Sequence, residues 1–269
     1  MLNVDQVQLT TFQAVVEQGS FEAAARALHV TPSAVSQRIK ALEQTVGQVL
    51  IRRAKPCTAT TAGQGLLRFA NQVALLEREF LGADSVRISV VVNADSLDSW
   101  FLRVLTDVPG VLFEIHTDDQ EHTTELLRSG TAMAAVTSEH VPVQGCRVEK
   151  LGVMRYLGVA APGLDAAAPM LVYNRKDRLQ HRFLGLTQDP PIHYLPATSA
   201  FNRALLMGLG WGMLFEHEAR PHLDAGRLVE IRPGRHLDVP LYWQCWRLSS
   251  PALDALTAAV RTAAAQVLR

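Results

Sequence analysis

The chain has 269 residues, 48% of them hydrophobic and 19% charged, and its 26 basic side chains balance 26 acidic ones. That composition buries a core and excludes disordered, fibrous and collagenous classes, while the length suits two or three compact units. The start, MLNVDQVQLTTF, has no basic region leading into an apolar run, and no uncharged apolar stretch of about 18 residues occurs, so we expect a cytoplasmic protein without signal peptide or membrane helix.

Overall neutrality hides a basic segment: Arg26, Arg38, Lys40, Arg52, Arg53 and Lys55 stand against Glu43 alone. Ahead of it, Leu9, Phe12, Val15 and Val16 mark the apolar face of a first helix that stops near Gly19. Ser20 then caps a short second helix, FEAAARAL, in which Ala23, Ala24 and Ala25 let another helix cross closely. HVT makes a tight turn, and Thr31 with Pro32 at the first helical position opens the third helix. There Val35, Ile39, Leu42 and Val46 recur at steps of four, three and four and pack inward. Ser33, Ser36, Gln37 and Lys40 face out, with Arg38 on the flank. Short hydroxyls and an amide replace the Glu–Lys pairs of an ordinary surface helix. The order is that of a helix-turn-helix. After Gly47, QVLIRRAKPCTATTAG reads as a two-stranded wing that offers Arg52, Arg53 and Lys55 to phosphates or the minor groove.

GSFEAAARALHVTPSAVSQRIKALEQTVGQVLIRR, followed by TTAGQGLL, resembles the winged helix-turn-helix of LysR-type transcriptional regulators over about the first sixty-five residues, without a gap. The resemblance implies a recognition helix at residues 32–45. It implies DNA contacts from Thr31, Pro32, Ser33, Ser36, Gln37, Arg38, Lys40, Arg52, Arg53 and Lys55.

In the next segment Ala62, Leu66, Phe69, Val73, Leu76 and Phe80 fall at steps of 4, 3, 4, 3 and 4, the seam of a coiled coil or of a helix packed on its own core. The family joins its DNA-binding domain to the rest through this helix and dimerises on it. A homodimer, or a homotetramer of two dimers, is therefore implied, with half-sites about one or more helical turns apart.

From Val86 the texture changes. RISVVVNADS, LFEIHTDD, AMAAVTSE, RYLGVAAP, MLVYNR, IHYLP and PLYWQCWR are β-rich runs separated by helical stretches such as LDSWFLRVLTD, EHTTELLRSG, TSAFNRALLMGLG and PALDALTAAVRTAAAQVL. Alternation of this kind predicts α/β layers with largely parallel strands. It resembles the family's effector domain, two solute-binding-protein-like subdomains hinged by crossover strands, here near Ala160 and Pro240. The expected organisation is a winged helix-turn-helix at 1–60, a linker helix at 61–82, one α/β subdomain at 86–160 with 240–269, and a second at 161–239.

Ligands of open α/β units sit beyond the carboxyl ends of strands. After the strand at 86–92, Asp95 or Ser96 begins the next helix, either as a plain N-cap or beside free amides that take a carboxylate. After the strand at 112–117, Asp118, Asp119 and Gln120 form either a solvated turn or a seat for an ammonium or guanidinium group. Strand ends at 173–176 and 196–199 add polar candidates.

A narrower resemblance is carried by NADSLDSWF, DDQEHTTELLRSG, AAVTSEHVPVQGCRVEKLGVMRYLGVA, GLGWGM and DVPLYWQCWRL. These look like the LysR-type branch that senses lysine or arginine and controls basic amino acid export, the ArgP/LysG group. It implies L-lysine or L-arginine as effector and an exporter gene as target. The implied effector residues are Asp95, Ser96, Leu97, Trp100, Asp118, Asp119, Gln120, Thr137, Asn174, Thr198 and Ser199. Operator DNA and RNA polymerase are the implied macromolecular partners, with no cofactor. The chain is shorter than typical members at 163–169 and 185–191.

Other chemistries have little support. Cys57, Cys146 and Cys245 are odd in number and far apart, which reads as free thiols. His116, Asp118, Asp119, Glu121 and His122 straddle a strand end and a helix start, so three do not converge on one ion. GLGWGM follows a helix rather than a strand, unlike a dinucleotide-binding turn. No G-x-S-x-G or G-x-x-x-x-G-K-[ST] occurs, so no enzyme is expected. The alternatives are a LysR-type regulator with another effector, and a ligand-binding protein whose N-terminal module contacts protein.

Overall fold

The computed structural model describes residues 5–118, 123–186 and 190–269. α1 (Gln6–Gln18) starts on Asp5, whose side chain accepts from the Val7 amide, and ends at Gly19 in the left-handed region. α2 (Phe21–Ala27) is capped by Ser20, and α3 (Pro32–Val46) by Thr31, which accepts from the Ala34 amide. The cap, the proline and the terminal Gly47 act as the sequence indicates. Phe12, Val15, Ala24, Ala25, Val35, Ile39 and Leu42 close one small core between the three helices.

β1 (Ile51–Arg52) pairs antiparallel with β2 (Thr58–Ala59) to make the wing. Glu43, the lone acid of the basic segment, fixes its base: Oε1 accepts from the amides of Leu50 at 2.9 Å and Ile51 at 3.3 Å. α4 (Thr61–Phe80) follows, capped by Thr60. It shows two faces. Leu67, Ala70 and Leu75 are buried within the chain, while Phe69, Leu76 and Phe80 are exposed, Phe80 to 89%. Its inner face docks through polar groups: Arg68 donates to the carbonyls of Leu127, Arg128 and Gln144, and Asn71 to that of Gly130. Glu79 accepts from Ser250 Oγ and the Ala252 amide.

Beyond it run β3 (Val86–Asn93), α5 (Ala94–Ser96), a π-helical turn at Leu97–Phe101, α6 (Leu102–Thr106), β4 (Val111–Asp118), α7 (Thr123–Ser129) and β5 (Ala134–Thr137). Then come β6 (Cys146–Ala160), β7 (Met170–Val172), α8 (Leu179–Leu184), β8 (Ile192–Tyr194) and α9 (Thr198–Leu206). β9 (Trp211–Phe215), α10 (Glu216–Asp224), β10 (Val229–Glu230), β11 (His236–Trp246) and α11 (Pro251–Val267) complete the chain. The sheet order is β4-β3-β5-β11-β6-β9-β7-β8, with β10 on β6.

β3 lies parallel to β4 and β5, and β7 parallel to β8 and β9, so each half carries the expected parallel strands. β6 and β11 do not: they run antiparallel to each other and to their neighbours, and they join the halves. β11 pairs with β5 at 242–245, whereas β6 pairs with β9 at 156–160. The passage along β6 therefore lies ahead of Tyr156 rather than at Ala160, near Gly152, where β11 bulges between Leu241 and Tyr242. Tyr242 lies just beyond Pro240. α11 returns to the first half and buries Leu253, Leu256 and Val260. All three cysteines are buried free thiols, and no described helix is long and apolar enough to cross a membrane.

Candidate functional site

Two surfaces concentrate the polar side chains that the sequence singles out. On α3, Thr31, Pro32, Ser33, Gln37 and Lys40 are exposed and Ser36 is half-buried, because Val35, Ile39 and Leu42 turn the opposite face into the core. Arg38 leans away from this face, its Nη1 donating to Thr11 Oγ1 at 3.4 Å. On the wing Arg52 and Lys55 are exposed, and the Arg53 guanidinium lies over the Phe21 ring at 4.9 Å. Arg53 is thus steadied by a cation–π contact at the α2 end of the same surface.

The second surface is a cavity of about 350 Å³ between the two halves. Asn93, Thr117 and Ser138, at the ends of β3, β4 and β5, form one wall. Tyr173, Asn174 and Asp177, leading from β7 into α8, form the other, and Val239 and Pro240 of β11 lie between them. This is the space beyond the carboxyl ends of parallel strands where open α/β units hold ligands.

Two carboxylates line that space, Asp95 from one half and Asp177 from the other. The Tyr156 hydroxyl donates to Asp95 Oδ2 at 2.6 Å. Burial pushes the Asp95 carboxyl up to about 6; the Tyr156 bond opposes the rise and the charges of Asp177 and Asp98 add to it. Glu218 on α10 is pushed up to about 7, first by burial and then by the charges of Asp95 and Asp98, against a hydrogen bond from Asn202. The Tyr173 hydroxyl is raised by burial and by the same two aspartates. Asp177 is held by its own turn, accepting from the Tyr173 and Leu179 amides at 3.2 and 3.0 Å. Lys176, Arg178 and Arg182 line the cavity on the α8 side.

The implied effector residues separate into groups. Asp95 and Asn174 line the cavity, the latter with its side chain turned to cap the Lys176 and Asp177 amides. Neither Asp95 nor Ser96 begins the helix: α5 starts at Ala94, and Asn93 holds the cap position without capping through its side chain. The Asn93 amide, only 2% exposed, and Ser96 Oγ have no hydrogen-bond partner among the described residues. Trp100 is a core residue instead, its ring 5.6 Å from that of Phe101, and Leu97 packs on the same core. The apolar stripe of this short helix turns both inward.

Thr137 is buried and accepts from the Glu139 amide at 3.1 Å, so its neighbour Ser138 reaches the cavity in its place. Thr198 and Ser199 open α9 and are not part of the cavity wall. Asp118 ends β4 beside Thr117, while Asp119 and Gln120 lie outside the described residues. Reading the sequence alone missed Asp177. Asp177 carried a usable signal, an acid just ahead of a helix after a strand end.

The sequence matches the bacterial regulatory helix-turn-helix protein, lysR family, over residues 7–64 and the LysR substrate binding domain over residues 82–267. It is 49% identical to the HTH-type transcriptional regulator LysG of Mycobacterium tuberculosis, covering 99% of this chain and 95% of that protein. It is 41% identical to the lysine export transcriptional regulatory protein LysG of Corynebacterium glutamicum, covering 98% and 99%. The full-length structure of LysG from Corynebacterium glutamicum with bound effector Arg superposes with a TM-score of 0.83 at 40% identity, over 98% of this chain and 99% of that one.

Proposed function

The chain belongs to the LysR family of bacterial helix-turn-helix regulators and is a DNA-binding transcription regulator rather than an enzyme; on that footing we propose that its effector is a basic amino acid, L-arginine or L-lysine, held in the cleft. The observation that carries this reading is the pair of carboxylates at the cavity, Asp95 on one wall and Asp177 on the other. Burial makes the charged form of Asp95 costly, and a side-chain cation brought into the cavity offsets that cost. Lys176 and Arg182 on the α8 side are suited to the effector's α-carboxylate. The bound Arg of the Corynebacterium glutamicum relative supports the same chemistry. L-lysine has about ten heavy atoms, so at roughly −0.3 to −1.5 kcal/mol per atom a micromolar to millimolar constant is reasonable.

The DNA-contacting set is proposed to be Thr31, Pro32, Ser33, Ser36, Gln37 and Lys40 on α3, with Arg38, Arg52, Arg53 and Lys55 around it. Dimerisation would use the exposed stripe of α4, Phe69, Leu76 and Phe80, which is too apolar to be left to water in a working molecule. Two reading heads would then face half-sites roughly 34 Å or a multiple apart. Control of an exporter gene belongs to the same proposal, supported by the lysine export regulator of Corynebacterium glutamicum, and contact with RNA polymerase is proposed with it.

Calorimetric titration with L-arginine, L-lysine, L-histidine and L-leucine, without DNA, tests the effector. Saturable binding of arginine or lysine with leucine silent is expected. Silence of both, or equal binding of leucine, overturns it.

A further inference from the structure

The ribbon of β6 and β11 has two faces, and the cleft uses one of them. Strand alternation puts Met154 and Tyr156 on the cleft side: the Tyr156 hydroxyl reaches Asp95, and Met154 stands opposite Val239, which lines the cavity. Val153 and Arg155 point the other way, into a second groove of about 740 Å³ between the halves. Glu216 and Arg220 of α10 wall it on one side, and Val267 and Arg269, at and just beyond the end of α11, wall it on the other. Arg155 is held within the ribbon, its guanidinium bidentate on Asp238 at 2.7 and 2.8 Å.

Arg269 spans this groove. Its backbone belongs to the crossing: the Val153 amide donates to its carbonyl at 2.8 Å, and its own amide donates to the Val153 carbonyl at 3.1 Å. Gly152 leaves room for that seat, since a Cβ there would stand 2.8 Å from Leu268 Cβ and 2.9 Å from the Arg269 carbonyl oxygen. The side chain goes to the second half, with Nε 2.8 Å and Nη2 2.6 Å from Glu216 Oε2. The Glu216 side chain is only 13% exposed, and its other oxygen accepts from Arg220. Burial would raise the Glu216 carboxyl, but the hydrogen bonds from Arg220 and Arg269 outweigh it and hold the group below its ordinary value. A carboxylate gripped by two guanidinium groups is a fixed point rather than a solvated rim charge.

We infer that Arg269 and Glu216 form a latch behind the hinge, which ties the end of α11 to the start of α10 and limits how far the cleft closes. The halves are joined through a ribbon that lies between cleft and groove, so a rotation that narrows the cleft widens the groove and draws Arg269 away from Glu216. The Arg155–Asp238 pair has no such role, because both partners sit on the ribbon itself. The latch needs no particular occupant of the cleft, so it stands apart from the amino acid reading above.

Pulsed electron resonance on the full-length protein, without ligand, tests it. Spin labels go on Ala225→Cys, just past α10, and Ala265→Cys, in the last turns of α11; both positions are exposed, whereas the native cysteines are buried. Labelled chains are diluted with unlabelled ones so that only distances within one chain are read. With the latch intact, one narrow distance distribution is expected. Arg269→Met and Glu216→Gln are expected to broaden it toward longer distances, and Arg155→Met to leave it narrow. The Arg269 side chain is 55% exposed, so its replacement leaves the core packing in place. An unchanged distribution in both latch variants overturns the latch, as does a shift toward shorter distances. Equal broadening in Arg155→Met overturns it too, since any lost charge on this face would then loosen the hinge.

Discussion

Gln37 stands exposed on α3 with Ser33 and Lys40 about one turn to either side, a short patch that presents an amide, a hydroxyl and a cation together. An amide reads adenine through paired hydrogen bonds in the major groove, whereas an ammonium gives charge without sequence. Gln37→Ala is therefore expected to cost about 1–3 kcal/mol on the cognate operator and little on random duplex, as read by competition anisotropy. Equal losses on both duplexes would contradict a base contact. At this scale the outward face of α3 was open to reading because helical spacing alone decides which side chains turn outward. The cleft was only half open to it. Asp95 follows a strand end and was legible, whereas Trp100, which the resemblance implied at the site, is core.

At the scale of elements, the head and the wing hold each other by close contacts of backbone. Gly63, in the first turn of α4, lies so near the end of α3 and the wing that a Cβ there would stand 2.1 Å from the Leu50 carbonyl oxygen. Leu50 is the same residue whose amide Glu43 accepts. Gly63→Ala must push α4 and the wing apart, with an expected loss of about 1–3 kcal/mol in thermal unfolding and weaker binding to any duplex. A variant with wild-type unfolding would show that the contact is soft. α1 to α4 were legible because each carries local signals: a cap, an apolar stripe and a glycine stop. α10 was not singled out, since EHEARPHLD has few apolar residues and a proline inside it. β6 showed only its second half for a related reason. Residues 147–153 are half-buried or exposed and lack the apolar run of 154–160, so only the ladder with β11 makes them strand.

For the whole molecule, the question is how a ligand between the halves reaches the head. α4 supplies a rigid route: its outer turns belong to the head core through Ala62, Leu66 and Leu67, and its later turns are held to the first half by Arg68, Asn71, Leu75 and Glu79. The second half is tied to the first through β6 and β11, which cross between them. A ligand that favours one arrangement of the halves can bias the heads only by differential affinity for the two states. The two-subdomain plan was legible from alternating strands and helices. The antiparallel crossover was not, because strand direction is a property of the sheet and leaves no local trace.

Linkage gives the most direct test of the account. The affinity for an operator duplex, selected by the protein from random sequence, would be measured by anisotropy with and without saturating L-arginine. The affinity for L-arginine would be measured with and without that duplex. The account predicts that arginine changes operator affinity by roughly 5- to 150-fold, and that the duplex changes arginine affinity by the same factor. An operator affinity indifferent to saturating arginine and lysine would contradict it.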